Sequence, residues 1–150
     1  MKGVRTQLLV AMVMFSASPL LAAKDEPTWV FNAPRGAGYS IDLVSVEPAP
    51  GTPLTVGTEV EFKITLSYSL TVAKKGTIFL VFQDDKNRSA KPDISQVTQV
   101  VSEPKGTITL SDKVTIPKRA KELLLFVPLA PEGMTETTGE VTIVYPIQKK

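Results

Sequence analysis

Residues 60–72 alternate without a break. Val60, Phe62, Ile64, Leu66, Tyr68, Leu70 and Val72 take one parity, and Glu61, Lys63, Thr65, Ser67, Ser69 and Thr71 take the other. Successive side chains of an extended chain point to opposite faces, so this run has one apolar face and one wet face. A helix would spread the same apolar residues around its whole circumference. Residues 59–72 are therefore predicted to form a strand, and its apolar face needs a second layer to cover it.

Shorter β patterns predict further strands over 40–47, 77–83, 97–101, 122–127 and 140–145. In the first of these, Ile41, Leu43 and Ser45 share one side, and Val44 and Val46 the other. Pro48, Pro50, Gly51 and Pro53 end it. The short Ala73-Lys74-Lys75-Gly76 turn predicts a hairpin between 59–72 and 77–83. Residues 97–101 read as an edge strand. Residues 107–110 and 114–116 read either as one strand with a bulge near Asp112 or as two short ones. No segment shows a convincing helical period. Seven strands with turn signals between them predict an all-β, two-sheet antiparallel sandwich.

Over residues 40–147 this pattern resembles the immunoglobulin-like and fibronectin type III superfold found in many bacterial exported proteins. The sequence departs from antibody-type domains. It has no cysteine pair, no tryptophan on the third strand and no tyrosine within 123–127 for a tyrosine corner. The resemblance implies a topology and no functional residues. In that topology the third and sixth strands are neighbours, with the last strand beside them.

The first 23 residues read as a signal peptide. Lys2 and Arg5 precede an apolar run over 8–21, and Ala22 and Ala23 supply small residues at a cleavage site. The run is shorter than the roughly 20 residues needed to cross a bilayer. Arg5 stands alone, so there is no twin-arginine signal, and the absence of cysteine excludes lipid attachment through one. The expected product is soluble and exported by the general secretory route to the periplasm or the medium. It comprises an N-terminal arm over 24–39, the sandwich over 40–147 and a tail over 148–150, with no membrane span. The whole chain has 17 Lys and Arg against 15 Asp and Glu. Loss of Lys2 and Arg5 leaves 15 of each, and a neutral domain lacks the basic footprint of a nucleic-acid binder.

The chain contains no histidine and no cysteine. This excludes Ser-His-Asp and Cys-His nucleophilic sites and the usual ligand sets for zinc, haem and iron–sulfur clusters. No cofactor is expected. Ser111 and Lys113 would share a strand face, but a Ser/Lys dyad needs a buried lysine and a solvated turn is the simpler reading. Asp84, Asp85 and Asp93 lack the acidic spacing of a calcium loop, and Lys86 and Arg88 lie between them. Residues 35–38 lack the strand-to-helix setting of a phosphate loop and read as linker.

Two surfaces emerge. The third and sixth strands are apolar on both parities, so one sheet face builds the core and the other displays Phe79, Val81, Leu124 and Phe126. Trp29 and Phe31 belong to an apolar triplet in the arm, and the arm either covers this face or leaves it as an interface with a protein partner or a second copy. The second surface is a pole where the loops after the third strand and before the sixth place Lys86, Arg88, Lys91, Lys118, Arg119 and Lys121 against Asp84, Asp85 and Asp93. It is a candidate site for anionic glycan or lipid headgroups. The opposite pole holds Glu103, Glu132, Glu136 and Glu140 against Lys74, Lys75 and Lys105. The expected function is that of a non-enzymatic module acting by protein–protein interaction or assembly through the apolar sheet face. Alternatives are a small carboxylate-based hydrolase and a fimbria-like subunit whose arm adds to a neighbour.

Overall fold

The computed structural model of the protein describes residues 27–32, 37–86, 88–90, 97–135 and 139–150. The predicted leader lies outside them. The described chain is all-β, with β1 (Val30–Asn32), β2 (Tyr39–Glu47), β3 (Leu54–Thr55), β4 (Glu59–Leu70), β5 (Gly76–Asp84), β6 (Val97–Val101), β7 (Lys105–Thr115), β8 (Glu122–Pro131) and β9 (Gly139–Gln148). One sheet runs β1-β9-β8-β5-β6, and the other runs β2-β4-β7. Pairing within both is antiparallel, and only the two-residue β3 lies parallel to β9.

The alternation in β4 does what its pattern requires. Phe62, Ile64, Leu66, Tyr68 and Leu70 are buried, while the intervening residues stay half-buried or exposed. Facing them from the larger sheet are Ile78, Leu80 and Phe82 of β5, Leu123, Leu125, Val127 and Leu129 of β8, and Val141, Ile143 and Tyr145 of β9. Phe62 marks one end of this core, with its ring centroid 5.3 Å from those of both Phe82 and Tyr145. The Tyr145 hydroxyl donates to the Pro48 carbonyl at 2.7 Å, so the buried phenol is paired. Burial pushes its pKa up.

The structure corrects four expectations. First, β4 and β5 do not form a hairpin: β4 pairs with β2 and β7, and β5 with β6 and β8. The two strands lie in opposite sheets, and their apolar faces meet across the shared core. The 71–75 turn instead carries the chain across the sandwich. Leu70 N–H donates to Pro104 on one side, and Gly76 fits between Leu70 and Leu129 on the other. The strand ends at Leu70, and Thr71 turns away by donating to the Gly38 carbonyl from both its N–H and its hydroxyl. Second, residues 105–115 form one strand in regular register with β4, without a bulge at Asp112. Third, the register of β2 slips between Leu43 and Ser45. Val44 is the extra residue and is 59% exposed, which restores Val46 to the core side beside Leu43. Fourth, the described residues form nine strands where seven were expected, because β1 and β3 were not foreseen.

Both additional strands guard the same edge. Beyond β1, the Val144 N–H donates to the Trp29 carbonyl, and the Val144 carbonyl accepts from Gly51 N–H. Leu54 and Thr55 then pair with Ile147 and Gln148, and Val56 N–H donates to Gln148. Short segments thus cover the backbone of β9, which would otherwise be an open edge.

Candidate functional surfaces

Cross-strand register fixes which side chains share a face. Val81 of β5 opposes Phe126 of β8, Phe126 opposes Thr142 of β9, and Thr142 opposes Phe31 of β1. This row crosses four strands on the side of the sheet away from the core. The adjacent row holds Gln83, Leu124 and Val144. On the other flank, Phe79 opposes Thr98, and Pro128 opposes Glu140. Phe79, Val81, Leu124 and Phe126 therefore lie on one face, and each is half-buried. Phe31 joins them and is 51% exposed. Residues 30–32 lie in the plane of the sheet, so this part of the arm widens the face. Trp29 packs its indole on Gly51, whose φ of +77° and bare Cα leave room for the ring. Burial raises the pKa of Glu140, the carboxyl on this face.

The basic pole also assembles. Residues 84–86 and 88–90 and the segment over 117–121 meet where Lys121 N–H donates to the Asp85 carboxylate at 3.3 Å. Asp84 is only 4% exposed. Its Oδ1 accepts the Lys86 and Arg88 N–H groups at 2.9 Å, and its Oδ2 accepts Arg88 Nε and pairs with Nη2, both at 2.7 Å. Burial alone would raise the Asp84 pKa. The Arg88 N–H, the Arg88 guanidinium and the Lys86 N–H outweigh it and hold the carboxyl below its ordinary range. Asp84, Arg88, Pro117, Lys118 and Arg119 line an open depression between the two loops. Lys91 and Asp93 lie outside the described residues. Sequence reading missed Lys149 and Lys150. They follow β9 out at this same pole, where Ile147 N–H donates to Lys121. Only the pairing of β8 with β9 reveals that placement.

The opposite pole gathers the turns over 71–75, 102–104 and 132–135, with Glu132 N–H donating to Lys75 and Leu70 N–H to Pro104. Glu136 lies outside the described residues. Those that are described, Glu103, Glu132 and Glu140 against Lys74, Lys75 and Lys105, balance in charge.

No protein-family model and no curated protein matches the chain. Among solved structures it is similar to part of a glycosyl hydrolase family 2 member from Bacteroides cellulosilyticus, at 13% identity and a TM-score of 0.46. The match covers 73% of this chain and 13% of that one, so the chain spans a small fraction of the enzyme's length.

The remaining chemical candidates are placed as follows. Ser111 and Lys113 are both exposed on the edge strand β7. A second open depression, on the outer face of the smaller sheet, is lined by Ser40, Asp42, Ser67, Ser69, Lys105 and Thr107 among others. Each of the two depressions holds a single carboxylate, Asp42 in one and Asp84 in the other. No group of three or more Asp or Glu able to hold a metal occurs among the described residues. No helix there is long and apolar enough to cross a membrane.

Proposed function

We propose that the protein is an exported, non-enzymatic module of the immunoglobulin-like kind that works by protein–protein contact through the outer face of its larger sheet. The strand order supports the kinship. Apart from the two short strands, the first, second and fifth share one sheet, and the third, sixth and seventh share the other. The fourth, β6, pairs with the third, unlike the antibody constant arrangement.

The observation that carries the interaction reading is the row Phe31, Thr142, Phe126 and Val81, flanked by Phe79 and Leu124. Phe31 is 51% exposed and Phe79, Val81, Leu124 and Phe126 are half-buried, so apolar side chains from three strands reach the surface together on one face. A hydrolase with paired carboxylates finds no such support in the two depressions among the described residues, each of which has one. The fimbria-like reading needs an arm free to add to a neighbour, whereas β1 pairs with its own β9.

The test is Phe79→Ser combined with Phe126→Ser in the secreted protein, read by sedimentation and by a photo-crosslinker at Val81. Self-association or partner capture is expected to disappear, at a stability cost of about 1–2 kcal/mol per phenylalanine. Retained association, or a chain that no longer folds, would overturn the reading.

A further inference from the structure

The basic pole gathers its charges apart from the apolar face. The 84–90 loop brings Lys86 and Arg88, the 117–121 segment brings Lys118, Arg119 and Lys121, and the end of β9 brings Lys149 and Lys150. Among the described residues, Asp84, Asp85, Glu59 and Glu122 stand against these seven cations. Two of the four are already engaged, Asp84 by Arg88 and Asp85 by the backbone of Lys121. Lys86, Lys118, Arg119 and Lys121 take part in no ion pair among the described residues.

Arg88 is organised rather than merely present. Asp84 is buried beneath it and binds both its backbone and one edge of its guanidinium, while the Arg88 side chain remains 55% exposed. A guanidinium held in place loses less freedom when an anion arrives, and its planar fork suits phosphate oxygens. Arg119 and Lys118 line the same depression from the other loop.

We infer that this pole docks on phospholipid headgroups of an anionic membrane surface, with Arg88, Lys118 and Arg119 around the depression as the phosphate-contacting residues. The choice of a surface over a polyanionic chain follows from placement. The cations come from three separate segments at one end of the sandwich, with Arg88, Lys118 and Arg119 lining the open depression, and a surface bearing many phosphates can engage several segments together. A linear polyanion following one path would meet fewer of these dispersed cations than a surface does. The outer face of the smaller sheet offers Ser40, Ser67, Ser69 and Thr107 around one lysine instead. Because the secreted chain is neutral by count, the attraction is local to the pole and short in range.

Flotation with vesicles of mixed neutral and anionic phospholipid tests the inference, with purely neutral vesicles as reference and thermal unfolding as the folding control. Binding to the anionic vesicles is expected, weakening steeply from low to high salt. Lys118→Ala with Arg119→Ala should weaken it about fivefold per cation removed. Lys74→Ala with Lys75→Ala, at the far pole, should leave it unchanged. Equal binding to neutral vesicles, equal loss in the far-pole variant, or binding to an acidic polysaccharide but not to vesicles would each overturn it. So would the absence of any vesicle binding.

Discussion

Gly51 shows how much one backbone position can carry. It sits at φ +77°, donates its N–H to β9, and gives the Trp29 indole a seat that any Cβ would occupy. Gly51→Ala meets two obstacles, a left-handed backbone conformation and a ring already in place. The expected cost is about 1–3 kcal/mol. Because Trp29 is the only tryptophan, its emission should move to longer wavelength in the folded variant. An unchanged spectrum and unfolding midpoint would show that the ring does not rest there.

At the scale of elements, the short strands do the edge work. A chain starting at Ala37 loses β1, its three cross-strand pairs and the Trp29 contact. It should still fold, less stably by about 1–3 kcal/mol, because the buried core belongs to the longer strands. Its exposed β9 edge should make it self-associate as concentration rises, measurable by light scattering. Failure to fold would mean that β1 is integral to the sandwich. Length is also what decided legibility. The alternation of β4 and the two-faced apolar patterns of β5 and β8 were long enough to read, and with them the composition of Phe79, Val81, Leu124 and Phe126 as one face. Three residues in β1 and two in β3 cannot display a period. The bulge at Val44 left no local mark, since valine suits either side of a strand. The Ala73–Gly76 turn had the length of a hairpin, but whether a turn joins neighbours or crosses between sheets depends on what each strand must bury. Lys149 and Lys150 joined the basic pole only through the pairing of β8 with β9.

For the molecule as a whole, acid stability reflects two opposed carboxyls. The folded state holds Asp84 below its free value of 3.8, so this contribution is complete above that pH and is lost as pH falls through the lower folded pKa. Glu140 is raised above its free value of 4.5 by burial. Its charged form therefore costs stability at neutral pH, and that cost is relieved as pH falls from the raised pKa toward the free one. Urea unfolding across this range should separate them. Asp84→Asn should lower stability at neutral pH and flatten the acid decline. Glu140→Gln should raise stability at neutral pH and steepen the net decline, since the relief it provided is gone. Parallel curves for both variants would contradict the assignment.

One feature of the topology reaches past the module itself. β1 runs antiparallel to β9, with Trp29 beside Val144, so the chain enters the sandwich from the same pole by which β9 leaves it. A sequence attached at either end would therefore hang from one side. In a longer polypeptide this unit would behave as a pendant rather than as a bead on a string, with the turns over 71–75, 102–104 and 132–135 facing outward, away from both attachments.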